Sequence, residues 1–132
     1  MRQTRNFANG IDMLQTRAEF LAVRKGLRAR GQFVRLEAIR HDAVSDAADP
    51  RIGFTVSKKN GNAVRRNRIK RRLREAVRQS AAREMRRDHD YVLIATPGAL
   101  TAPFDVLCAD VRSVIEAAND KLARSDEKSR TH

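Results

Sequence analysis

Apolar and polar positions change period several times along this 132-residue chain, and each change marks an element. Residues 1–15 are polar and basic with few periodic signals, and read as a flexible N-terminal arm. Thr16-x-x-Glu19 has the form of a capping box, in which hydroxyl and carboxylate each satisfy a backbone N–H at a helix start. Phe20, Val23 and Leu27 follow at helical spacing, and Gly26 reads as a left-handed stop, ending the helix near Lys25. Leu27–Arg30 reads either as a last helical turn or as a short edge strand. Residues 32–40 alternate, with Val34, Leu36 and Ala38 on one face and Phe33, Arg35, Glu37 and Ile39 on the other. An acidic, small-residue loop, 41–50, leads to a second alternating run, 51–57, with Ile52, Phe54 and Val56 on one face. These two runs are expected to pair antiparallel.

Asn60-Gly61-Asn62 is a turn signal. From Ala63 to Ala82 the period returns to helical, with Ile69, Leu73, Ala76, Val77 and Ser80 as the inner stripe. Tyr91–Thr96 is a short apolar run that reads as a buried strand, closed by Pro97-Gly98. A last helix opens at 101–103; Phe104, Leu107, Val111, Val114, Ile115, Ala118 and Leu122 form its stripe. The polar segment 125–132 reads as a disordered tail. The pattern predicts one α+β domain over 16–124, with no internal repeat.

Charge changes this picture at one place. The net charge is +12, and residues 58–87 alone carry thirteen cations against Glu75 and Glu84. An unpaired charge is too costly to bury, so this density must face water or a polyanion. Around the 63–82 helix only a narrow stripe is free of cations, which points to a phosphate backbone as partner. A membrane surface is a weaker match, because the apolar face is short and lacks bulky aromatics. No window approaches the roughly twenty apolar residues of a membrane span.

Chemistry for catalysis is sparse. His41, His89 and His132 are scattered through polar segments and read as exposed residues without a role. The single cysteine, Cys108, excludes an intrachain disulfide, favours a reducing cytoplasm and reads as a packing residue beside the last stripe. Asp42, Asp46 and Asp49 share a loop but lack EF-hand spacing. Phosphate-binding and dinucleotide glycine fingerprints are missing, as are zinc-finger spacing and an RRM aromatic motif. Of six aromatics, Phe54 and Phe104 suit the core; Phe20 and Phe33 suit either core or base stacking. A structural RNA-binding protein and a DNA-binding protein using the basic helix in the major groove both fit these features.

The stretch GFTVSKKNGNAVRRNRIKRRLREAVR, Gly53 to Arg78, adds a longer match. Val56-Ser57-Lys58-Lys59, Gly61-Asn62-Ala63-Val64, the RNR box Arg66-Asn67-Arg68 and Ile69-Lys70-Arg71 resemble the signature of the bacterial ribonuclease P protein component. The resemblance extends to the helix before Gly26, the strand opening Gln32-Phe33-Val34, the strand at Tyr91–Ala95 and the closing helix.

It implies a two-layer α+β sandwich of a small mixed sheet and three helices, in the order αβββαβα. Its βαβ crossover would be left-handed, against the usual rule, in a fold resembling the second domain of a small-subunit ribosomal protein. It implies a non-catalytic protein subunit, in the cytoplasm and 1:1 with a catalytic RNA. That RNA performs the Mg²⁺-dependent removal of the 5′ leader from precursor tRNA and holds most of the Mg²⁺. The RNA-binding residues implied are Lys58, Lys59, Arg65, Arg66, Asn67, Arg68, Lys70, Arg71 and Arg74. A leader-binding cleft is implied at Phe20, Arg24, Val34, Leu36, Ser57 and Lys58. Arg24 stands where the family often has a second aromatic, and Leu36 where some relatives have Tyr. At Arg24 this implies phosphate contact or guanidinium–base stacking in place of a ring.

Overall fold

The computed structural model describes residues 6–8, 10–40 and 49–130. Six strands and three α-helices follow one another: β1 (Asn6–Ala8), β2 (Ile11–Met13), α1 (Arg17–Val23), β3 (Leu27–Arg30), β4 (Val34–Arg40), β5 (Arg51–Thr55), α2 (Ala63–Ala76), β6 (His89–Ala95) and α3 (Phe104–Arg130). One mixed sheet runs in the order β1-β2-β5-β6-β4-β3. The expected α+β class holds, and Leu27–Arg30 resolves as an edge strand.

Period-two alternation assigns the sheet's two faces. Val34, Leu36 and Ala38 of β4 lie with Ile52 of β5 and Tyr91, Leu93 and Ala95 of β6 in the main core. The stripes of α2 and α3 close that core through Ile69, Leu73, Leu107, Val111 and Ile115, all fully buried. The opposite face is covered in part only, by α1. Leu14, Val23 and Val92 form a small second cluster there, flanked by Phe20, Ile39 and Ile94.

Five sequence expectations need correction. The lead-in is not a loose arm throughout: β1 and β2 form a hairpin, turned at Gly10 (φ 76°), and β2 pairs parallel with β5. Phe7, Ile11 and Leu14 are buried; three-residue strands are too short to leave a readable alternation. At the other end α3 continues to Arg130, past the expected boundary at 124. The segment has no glycine or proline to stop it before then. Third, β4 and β5 do not pair: β6 inserts between them, antiparallel to β4 and parallel to β5. The β5–α2–β6 crossover that the resemblance implied is present, whereas the expected β4–β5 hairpin is not.

Gly26 also works differently. Its φ is not in the left-handed region, but a Cβ there would lie 2.0 Å from the Ala38 carbonyl oxygen, so close passage over β4 demands glycine. Finally, His89 is buried rather than exposed; its Nδ1 lies 2.7 Å from the Arg87 carbonyl oxygen and its ring stacks on Tyr91. His41, His132, Asp42 and Asp46 lie outside the described residues.

Polar groups fix the layers to each other. The Asp110 carboxylate on α3 accepts from the backbone N–H groups of Gln32, Phe33 and Val34 at 2.8, 2.8 and 3.2 Å, anchoring the β3–β4 turn. Arg51 forms a two-pronged pair with Asp90 (2.8 and 2.6 Å) and reaches Glu19 at 2.6 Å. Glu19 also completes the capping box with Thr16, so this cluster ties the start of α1 to β5 and β6.

Candidate nucleic-acid interface

Two basic surfaces emerge. The first begins after β5 with a 3-10 turn, Lys58–Asn60, in which the buried Asn60 amide donates to the Ser57 carbonyl (3.2 Å). That turn leaves Lys58 and Lys59 exposed. Gly61, at φ 112°, redirects the chain, and the Asn62 side chain caps α2 by accepting from the Arg65 N–H (2.9 Å). Helical periodicity then places Arg65, Asn67, Arg68 and Arg71 on the exposed side, with Arg66, Lys70 and Arg74 half-buried. Val64, Asn67, Arg68 and Arg71 line a shallow depression.

Not every cation on this helix is available. The Arg72 guanidinium donates to the backbone carbonyls of Leu100 and Ala102, so it joins α2 to the segment before α3. Arg74, assigned to RNA from sequence, packs over the Phe54 ring at 5.9 Å, and Arg78 over the Phe7 ring at 4.8 Å. Arg66 and Arg74 each retain a buried Nε without a hydrogen-bond partner in the protein.

The second surface is an open groove of roughly 800 Å³ between α1 and the uncovered face of the sheet. Phe20 and Leu21 of α1 form one wall, and Val92 and Ile94 of β6 form an apolar floor. The Phe20 ring lies directly over Gly53, where an added Cβ would come within 2.5 Å of it. Arg17, Arg24, Arg28, Arg30, Arg35 and Lys121 rim this floor. Against them stands one carboxylate, Glu37, 3.6 Å from Arg28.

Of the six residues assigned to a cleft from sequence, Phe20 and Arg24 lie along this groove with exposed surface. Val34 and Leu36 are fully buried on the other face, in the core beneath α2 and α3. Leu36 borders the groove without exposed surface. Strand parity explains the difference: even positions of β4 face the core, odd ones the groove. Ser57 and Lys58 are exposed but do not line it. Arg17, Arg28, Arg30, Arg35, Glu37 and Thr55 were missed as wall residues, although the alternation of 32–40 already separated Arg35 and Glu37 from Val34 and Leu36.

Among the described residues, no group of three or more His, Cys, Asp and Glu side chains is arranged to hold a metal ion. Glu37, a lone carboxylate facing arginine, does not fit a divalent cation, which takes several oxygen ligands. No helix of the described residues is long and apolar enough to cross a membrane.

A family model described as ribonuclease P matches residues 10–119. The chain is 48% identical over 123 residues to the ribonuclease P protein component of Brucella suis, covering 89% of this chain and 86% of that protein. The corresponding protein of Bartonella quintana is 46% identical over 101 residues, covering 74% and 76%. The solved ribonuclease P protein of Thermotoga maritima superposes with a TM-score of 0.67 at 23% identity, over 80% of this chain and 96% of that one; this likeness concerns the fold. With residues 10–119 matched by the family model and a 48% identical relative covering 89% of its length, the chain belongs to the ribonuclease P protein family.

Proposed function

We propose that this chain is the protein subunit of a ribonuclease P ribonucleoprotein, assisting a catalytic RNA in removing the 5′ leader of precursor tRNA. The observation that carries this reading is the pairing of two cationic surfaces. The α2 surface, with Lys58, Lys59, Arg65, Arg66, Asn67, Arg68, Lys70 and Arg71, suits a folded RNA whose phosphates accept bidentate arginine bonds. Arg74 fits at its margin, held over Phe54. The groove suits a single strand: its cations can track phosphates, and the Phe20 ring offers a face for one base.

Hydrolysis is assigned to the RNA subunit, which would also hold the Mg²⁺. What the chain's own residues do is neutralise phosphate charge, so that catalyst and substrate RNAs approach at lower Mg²⁺, and hold the leader away from the scissile bond. A 1:1 complex with the RNA, in the cytoplasm, completes the reading.

Titration of the chain against a bacterial ribonuclease P RNA tests it. Affinity should fall steeply with salt, with a log–log slope of several, because each neutralised phosphate contributes about 0.7–0.9. A flat salt response would exclude a phosphate-directed interface.

A further inference from the structure

The two cross-strand rungs of the β3–β4 hairpin that face the groove differ in charge. Arg28 sits opposite Glu37, and Arg30 sits opposite Arg35. The first rung is compensated, with Arg28 and Glu37 3.6 Å apart. The second places two arginines directly opposite each other with no carboxylate between them. Both arginines are exposed, and neither side chain has an ion pair or hydrogen bond among the described residues. Like charges directly opposite on a sheet destabilise it. The carboxylate at the adjoining turn, Asp110, already accepts three backbone N–H groups. Across the groove, α1 adds Arg17 and Arg24, which deepen the positive potential instead of relieving it.

We propose that Arg30 and Arg35 form a phosphate clamp at the turn end of the groove, which grips one phosphodiester of the bound single strand. The compensated Arg28–Glu37 rung next to it attracts phosphate less than the clamp does, so the strand is registered by its backbone. Recognition is then largely independent of base identity at that position, and the base-stacking work falls to Phe20. The inference rests on the leader-binding reading of the groove.

The test uses the full chain assembled with the catalytic RNA and precursor tRNA carrying either a long or a trimmed leader. In the R30A/R35A double variant, long-leader affinity falls about tenfold or more, as loss of charge-assisted bonds implies. Trimmed-leader affinity is unchanged, and the log–log salt slope for the long leader drops by about 0.7, one single-strand phosphate contact's worth. A neutral methylphosphonate, moved one linkage at a time along the leader, weakens the wild type at one position and has no further effect there on the double variant.

The thermal midpoint of the free chain stays level or rises in R30A, because a repulsion has been removed. A fall in midpoint accompanying the affinity loss would overturn the clamp in favour of a structural role. Full long-leader affinity with an unaltered slope, while Phe20→Ala loses long-leader binding, would leave the leader in the groove and sink the clamp alone. Equal wild-type affinity for long and trimmed leaders would overturn the groove reading and the clamp with it.

Discussion

Tyr91 is the chain's only tyrosine and is fully buried where β6 meets α3. Its hydroxyl donates to the Asn119 side-chain oxygen at 2.6 Å and accepts from the Arg86 N–H at 3.0 Å. Burial pushes its pKa up to about 12. The folded state therefore favours the neutral phenol. Its contribution is fully present below pH 10, the unfolded value, and is lost as pH climbs towards 12. That contribution is on the order of 2–3 kcal/mol. A phenolate absorbance titration should give a midpoint near 12, and Tyr91→Phe should flatten the alkaline loss of stability. A midpoint near 10 would show that the side chain is open to water.

Phe20 belongs to the same scale but a different task. Its ring sits over Gly53 and beside Ile94, half-exposed, so Phe20→Ala should weaken precursors with long leaders more than those with short ones. Equal loss on both would mean that the ring only packs. Sequence left Phe20 undecided between core and stacking, since helical spacing marks a face without saying whether that face is covered. The structure packs one part of the ring against Gly53, where a side chain would collide with it, and leaves the rest half-exposed.

At the scale of elements, α2 carries cations with opposite duties. Arg72 reaches backbone carbonyls, whereas Arg68 projects into the open. Arg72→Ala should destabilise the free chain by about 1–3 kcal/mol in urea unfolding. Arg68→Ala should leave that curve in place and weaken RNA assembly about tenfold. A destabilised Arg68→Ala with normal RNA binding would reverse the assignment. The helix and the turn before it were legible from spacing, and the RNR box from the family resemblance. The separation of Arg72 from Arg68 was not, because it depends on where the Pro97–Leu100 turn lands after β6.

Pairing was similarly hidden. Alternation defined β4 and β5, but their neighbours are set by long-range topology, and β6 takes the place between them. The groove was half legible for the same reason: the two faces of β4 were separable, while the side holding α1 was not.

On the scale of the whole molecule, the Glu19–Arg51–Asp90 cluster decides whether the groove keeps its shape. It joins α1 to the two central strands with side chains that are 14%, 13% and 2% exposed. Breaking a buried pair costs about 3–5 kcal/mol. Arg51→Met should therefore lower unfolding free energy by about that amount and also impair leader binding, since α1 would lose its hold on β5. Unchanged stability would place the cluster's energy elsewhere.

The molecule otherwise keeps the two faces of its sheet distinct. One sheet face, closed by α2 and α3, is core; the other, half-covered by α1, stays open and cationic.

Reconstitution addresses this division of labour most directly. The chain is mixed with a bacterial ribonuclease P RNA and precursor tRNA at Mg²⁺ too low for the RNA alone, and leader removal is timed. The account predicts strong stimulation by the complete pair and no cleavage by the chain without RNA. Absence of stimulation with folded chain, or cutting by the chain unaided, would contradict it.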